Sequence, residues 1–191
     1  MALIGCDQFH YAVMKTEDTV NAAPTYDDAS GMKAISGLIK LEVQPTTNSN
    51  TLYADNAPLL TTTSLGEINV NLEAADIPLE DLAAILGHAY DKATKKITYK
   101  GTDVAPYVAI AFAAQKNDGN ETRFVKLFKG KFSEPNDDSQ TQGSSVEFKT
   151  PSVTGKFVVL KNDSRWKEIQ DADTATAETI ATTFFGSVLA K

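Results

Sequence analysis

Period-two alternation most narrows the folds open to this chain. Ile68, Val70 and Leu72 alternate with Glu67, Asn69, Asn71 and Glu73; Ile39, Leu41 and Val43 alternate with Lys40, Glu42 and Gln44; Phe9, Tyr11 and Val13 alternate with His10 and Ala12. Successive side chains of an extended strand point to opposite faces, so each stretch reads as a half-buried strand. Ile97 and Tyr99 mark a short strand. Pro106 to Lys116, then Asn117-Asp118-Gly119-Asn120, then Glu121 to Phe132 read as a hairpin, because Asp-Gly accepts the left-handed backbone of a tight turn. The two faces of the return strand are Phe124, Lys126, Phe128 and Val125, Leu127, Lys129. Val146 to Leu160 reads as a last β segment, with Pro151 placing an edge strand or a bulge there.

Two helices punctuate the strands. Pro78 suits a first turn, Glu80 and Asp81 suit the positive end of the helix dipole, and Leu79, Leu82, Ala83 and Leu86 fall at i, i+3, i+4, i+7 before Gly87. A weaker helix spans about Thr176 to Phe185, with Ile180 and Phe184 on one face and Gly186 after it. The expected fold class is therefore mainly β with one flanking α-helix, the C-terminal region forming an extension or second helix.

Three polar stretches are long for connections: Lys15 to Lys33, Pro45 to Ser64 and Pro135 to Ser144. The middle one carries Leu52, Tyr53, Leu59 and Leu60, apolar residues that call for a partner surface.

Composition excludes several classes. The 191 residues, 42% apolar, suffice for a sizeable core, and no apolar run approaches the ~18 residues of a membrane span. Leu3-Ile4-Gly5-Cys6 has the outline of a lipoprotein processing site, but only two residues precede it, so no such processing is expected. One cysteine makes no internal disulfide. The net charge of −7 opposes a surface that grips nucleic acid through its phosphates. That charge is uneven: residues 1–90 hold 3 basic and 12 acidic side chains, residues 91–191 hold 15 and 13, and Lys92 to Lys131 is locally basic. Such a division suits head-to-tail stacking of copies, or it simply reflects solvated outer faces.

No catalytic constellation emerges. His10 and His88 lack neighbours at metal-ligand spacing and read as structural, and Cys6 with His10 lacks a group to orient the pair. Asp27-Asp28 and Asp137-Asp138 read as solvated loop pairs. No phosphate-cradling or nucleophile-elbow motif occurs. The expectation is a non-enzyme without metal or cofactor.

Met1-Ala2-Leu3-Ile4-Gly5 with His10-Tyr11-Ala12, Thr51-Leu52-Tyr53-Ala54-Asp55, Leu65-Gly66-Glu67-Ile68, Ile77-Pro78-Leu79 with Leu86-Gly87-His88, Asp103-Val104-Ala105-Pro106-Tyr107-Val108-Ala109 and Lys129-Gly130-Lys131-Phe132-Ser133-Glu134-Pro135 stand in that order. Val146-Glu147-Phe148, Thr150-Pro151 and Arg165-Trp166-Lys167 continue the series. Together they resemble the major tail protein of long-tailed, siphovirus-type phages of Gram-positive bacteria, over nearly the whole chain.

The resemblance implies a β-sandwich or barrel-like tail tube fold, similar to the Hcp ring of type VI secretion, as a single domain over residues 1–191. It implies an N-terminal arm of about residues 1–8, a long inter-ring loop of about residues 45–64 and a C-terminal extension from about residue 170. Its partners would be copies of itself in six-membered rings stacked into a tube, together with tape measure, tail terminator and tail-tip (distal tail) proteins, within a virion assembled in the bacterial cytoplasm. Double-stranded DNA would pass through without specific binding, and no membrane is involved. Within this picture Leu3, Ile4, Leu52, Tyr53, Ala54, Asp55, Leu59 and Leu60 are candidate inter-subunit contacts, and Glu42, Glu67 and Glu73, which alternate with core residues, are candidate lumen-facing acids. The alternatives are a secreted or surface β-sandwich binding carbohydrate or acting as an adhesin and, within the tube class, the inner tube of a contractile tail or an Hcp-like ring.

Overall fold

The computed structural model describes residues 3–117, 119–136 and 150–189. Its strands, in chain order, are β1 (Leu3–Thr16), β2 (Thr25–Tyr26), β3 (Lys33–Ile35), β4 (Leu38–Ala54), β5 (Ala57–Ala74), β6 (Ala89–Asp91), β7 (Lys96–Thr98), β8 (Val108–Lys116), β9 (Glu121–Phe132), β10 (Ser152–Phe157) and β11 (Lys167–Asp173). Helix α1 (Leu79–Leu86) follows β5, and α2 (Ala177–Gly186) follows β11. The main sheet runs β2-β1-β8-β9-β10-β5-β4, and every pairing is antiparallel. On the edge of β9 away from β8, β11 pairs Glu121–Leu127 while β10 pairs Gly130–Phe132. On the outer edge of β1, β3 pairs Phe9–Tyr11.

The central strands are buried on both faces, and parity decides which core each residue enters. Val108, Ile110 and Phe112 of β8, with Val125 and Leu127 of β9 and Phe9 and Tyr11 of β1, enter one core. That core also takes Ile68, Val70 and Leu72 of β5, Val153 and Phe157 of β10, and Ile85 and Leu86 of α1. Ala109, Ala111 and Ala113, with Phe124, Phe128, Ala12 and Met14, enter a second core roofed by Phe184 and Phe185 of α2 and by Val188. The sheet curls around the first core, and near its start β4 comes back against β1, where the Cys6 thiol lies 3.9 Å from the Ile39 carbonyl. Small alanines on the α2 side of β8 let the helix sit close to the sheet.

The helices and the 121–132 return strand lie where the sequence puts them, with differences that have physical causes. In α1 the buried residues are Ala83, Ile85 and Leu86, while Leu79 is exposed. Both helices flank the sheet, one per core, rather than α1 alone. In the described part of the last β segment, β10 begins after Pro151 and ends at Phe157, with the Val158 N–H still donating to the Lys129 carbonyl at 2.9 Å, and β11, beyond that segment, is a strand that no alternation announced. Residues 137–149, including Asp137, Asp138 and Val146-Glu147-Phe148, lie outside the described residues, as does Asp118. In the 15–33 stretch Asp18, Tyr26 and Met32 are buried.

The largest difference concerns residues 45–64. Instead of a loop they form the outer half of the β4–β5 hairpin, paired from Thr47↔Leu65 to Ala54↔Ala57. Asp55 and Asn56 close it with φ of 51° and 64°, the two left-handed residues of a tight hairpin turn. Asp-Asn serves here where Asn-Gly is the familiar signal, and a Thr/Ser/Asn ladder has no apolar alternation to betray a strand.

Candidate functional site

The outer half of this hairpin is a two-stranded ribbon with both faces in water. Its boundary is sharp: Ile68, Val70 and Leu72 are buried, whereas every residue from Ala57 to Leu65 is exposed. At the boundary Gly66 occupies a bulge, where an added Cβ would lie 3.1 Å from the Asn48 amide nitrogen and 3.2 Å from the Thr46 carbonyl. Beyond it the ribbon extends about 25 Å at the usual rise per residue.

Near the tip Leu52 stands opposite Leu60, and Tyr53 opposite Pro58, with Leu59 as the extra residue of a second bulge. Leu52, Tyr53, Leu59 and Leu60 are 58%, 68%, 67% and 58% exposed. The structure thus gathers four of the apolar candidates at one end of the ribbon and sets Asp55 in its turn. Ala54 belongs to the ribbon backbone, and its side chain is outside the described set. Asp55 is the sole charge between residues 46 and 64. An isolated two-stranded ribbon is marginal in water, and charged residues are the usual guard of an open strand edge.

Leu3 and Ile4 lie elsewhere. They pair with Lys116 and Gln115 on the chain's own β8, so the first described residues are a strand continuing β1 rather than a free arm. Both remain about half exposed. Bulges between Ile4 and Asp7 and between Asp7 and His10, with positive φ at Gly5 and Gln8, let the strand turn there.

The three glutamates share one outward face. Register aligns Lys40 with Glu73 and Ser152, Glu42 with Asn71 and Thr154, and Gln44 with Asn69 and Lys156. The face carries mixed charge: Lys40 pairs with Glu42 at 3.1 Å, Lys156 with Glu67 at 2.8 Å, and the Thr150 hydroxyl donates to Glu73 at 2.6 Å. Glu42 is held below the usual carboxylate range by hydrogen bonds from Gln44 and Lys40. This surface is therefore less acidic than its glutamates alone suggest.

In the basic stretch from Lys92 to Lys131, the side chains of Lys92, Lys116, Arg123 and Lys129 pair with carboxylates of the same chain. The Lys129 ammonium pairs with Asp18, both fully buried, and lies 4.4 Å from the Tyr107 ring centre. Lys126 is 2% exposed, donates to the Ser187 carbonyl at 2.7 Å, and lies 4.2 Å from the Phe184 ring centre. Lys116 bonds Glu121 and, at 2.8 Å, Asp171, which Arg123 also clasps. Apart from Glu121, which faces Lys116 across the hairpin, residues distant in sequence supply these partners, so spacing along the chain could not reveal them. Asp28, read as a solvated loop acid, instead accepts from the Ser187 hydroxyl and the Val188 N–H at 2.9 and 2.8 Å, and so fixes the end of α2.

Among the described residues no group of three or more His, Cys, Asp or Glu side chains is placed to hold a metal, and no helix is long and apolar enough to cross a membrane. No family model and no curated protein matches the chain. Among solved structures, a chain of the anti-feeding prophage cap, described as its tube terminating cap, is similar at 10% identity and a TM-score of 0.49, over 90% of this chain and 93% of that one.

Proposed function

We propose that this chain is a structural subunit of a phage tail tube: six copies close a ring, rings stack into a tube, and DNA leaves the capsid through it. The observation that carries the reading is the β4–β5 ribbon, about 25 Å of paired backbone ending in Leu52, Tyr53, Leu59 and Leu60, which the described residues of the chain leave in water. Burying those four side chains contributes several kcal/mol per contact, at about 1.5–3 kcal/mol for each large apolar residue taken fully out of water. A neighbouring ring is the partner that also accounts for the collinear sequence resemblance.

The open sheet ends add support. β4 is terminal in the strand order of the described residues, so beyond its start, which lies against β1, its outer edge offers N–H and C=O groups that a neighbour's edge can satisfy within a ring. The polar face bearing Glu42, Glu67 and Glu73, dressed with Asn69, Asn71 and Thr154, suits a lumen along which a polyanion slides without sticking. A non-contractile tail is favoured by the resemblance.

Negative-stain electron microscopy across concentration and salt tests the proposal. Rings or hollow tubes are expected, and L52D together with L60D is expected to abolish stacking while leaving the circular dichroism spectrum unchanged. Dispersed monomers under all conditions, including with tail-tip complexes added as seeds, overturn it. Charge reversal at Glu67 or Glu73 that alters neither lumen potential nor DNA ejection removes those residues from the lumen.

A further inference from the structure

His88 follows Gly87 at the end of α1, and its side chain is only 4% exposed. Its Nδ1 lies 2.8 Å from an Asp103 carboxylate oxygen and its Nε2 lies 2.7 Å from a Glu134 carboxylate oxygen. The Tyr99 ring packs against it with centroids 4.2 Å apart. A carboxylate accepts hydrogen bonds and a neutral imidazole has a single N–H, so only the doubly protonated ring donates to both partners. The site joins three separate parts of the chain: the end of α1, the 99–103 turn after β7, and the residues that leave β9.

We propose that His88, Asp103 and Glu134 form a proton-operated clasp, which ties the exit of β9 to the end of α1 while the imidazole carries both protons and releases Glu134 when one proton is lost. Glu134 is the partner that lets go because Asp103 is held independently by the Lys100 N–H at 3.0 Å, whereas the Glu134 side chain is 57% exposed. Among the described residues the charged groups facing the ring are these two carboxylates, with Lys100 near Asp103. At the far end of α1, Glu80 is engaged by Lys92 and Asp81 by the Tyr11 hydroxyl.

The direction of titration agrees with the geometry. Burial pushes the His88 imidazole down, but the hydrogen bonds and charges of Asp103 and Glu134 outweigh burial and leave it above its ordinary value of 6.5. With the folded-state value raised, the clasp closes as pH falls through that raised value and opens as pH rises through it, and the stability it contributes is lost over the same rise.

Solution NMR of the full chain tests the clasp, following the His88 imidazole and the Glu134 backbone amide from pH 5 to pH 9. The His88 midpoint is expected above 6.5, the Glu134 amide is expected to shift with the same midpoint, and E134Q is expected to lower that midpoint by about one pH unit. A His88 midpoint at or below 6.5, or one that E134Q leaves in place, overturns the proposal. A Glu134 amide indifferent to the His88 titration does so as well. Glu134 lies at the surface, so its variant folds; D103N, which removes the other carboxylate, is expected to lower the midpoint too. The titration is run at a concentration and salt where sedimentation shows the chain to be monomeric, so its outcome does not depend on whether the chain assembles into tubes under other conditions.

Discussion

Replacing Lys126 with methionine separates the cost of burying an amine from everything else in its neighbourhood. The Lys126 ammonium donates to the Ser187 and Val188 carbonyls at 2.7 and 3.4 Å, sits against the Phe184 ring, and has no carboxylate bonded to it among the described residues. Burial pushes its pKa from the ordinary 10.5 down to about 8. A lysine titrating lower in the folded chain than in the unfolded one gives up its proton on folding between those two values. The unfolded chain then binds more protons, and stability rises with pH. With 1.36 kcal/mol per pH unit and the two end points above, wild type gains about 2.5 kcal/mol between pH 7 and pH 10 from this residue alone. Lys126→Met abolishes that gain. The variant also strands two carbonyl acceptors, at a cost of about 1–3 kcal/mol each, but that cost does not vary with pH. Tyr11 and Tyr26, whose pKa values burial pushes up, act equally in both proteins and cancel in the difference. Urea unfolding of the two proteins from pH 7 to pH 10 is the assay, and the stability difference is expected to move in favour of wild type by about 2.5 kcal/mol. A difference that stays constant over that range refutes the reasoning, because Lys126 would then be solvated or paired.

Two further substitutions probe the cores. Asp18→Ala leaves the fully buried Lys129 ammonium with the exposed Glu17 carboxylate at 3.8 Å in place of its buried partner and the Lys161 N–H without its acceptor, a loss of about 3–5 kcal/mol by denaturant unfolding that D18A with K129M largely recovers; an unchanged midpoint in the single variant shows the pair to be dispensable. Gly130→Ala drives a methyl into the face of the Phe157 ring, so a loss of about 1–3 kcal/mol and a changed near-ultraviolet circular dichroism spectrum are expected, and wild-type thermal stability would show that the ring has room to move.

Much of the scaffold is legible in local order. Alternation locates β1, β4 and β5, because a strand with one buried face must repeat every second residue. Pro78, the acidic first turn and Gly87 bound α1, because helix ends need particular local chemistry. The apolar residues around Leu52 and Leu60 stand out against their polar surroundings, and that contrast alone points to a contact surface.

What alternation does not expose are elements whose logic lies in partners far along the chain. β11 shows no strand pattern because one of its edges is held by β9 and most of its side chains face water. The 47–65 ribbon has both faces exposed, so hydrophobicity carries no period there, and only the pairing of Thr, Ser and Asn across the hairpin makes it a strand. The environment of each charge is likewise set in three dimensions. Lys116, Lys126 and Lys129 stand in sequence as a basic hairpin, and Asp18, Asp171 and the end of α2 fold over them. His88, unremarkable among its neighbours in sequence, becomes a bridge between carboxylates 15 and 46 residues away. Residue order thus dictates where the backbone extends or coils, since those preferences act between near neighbours. Which polar groups are buried and paired is settled by the assembled fold, since desolvation depends on what distant parts of the chain lay over them.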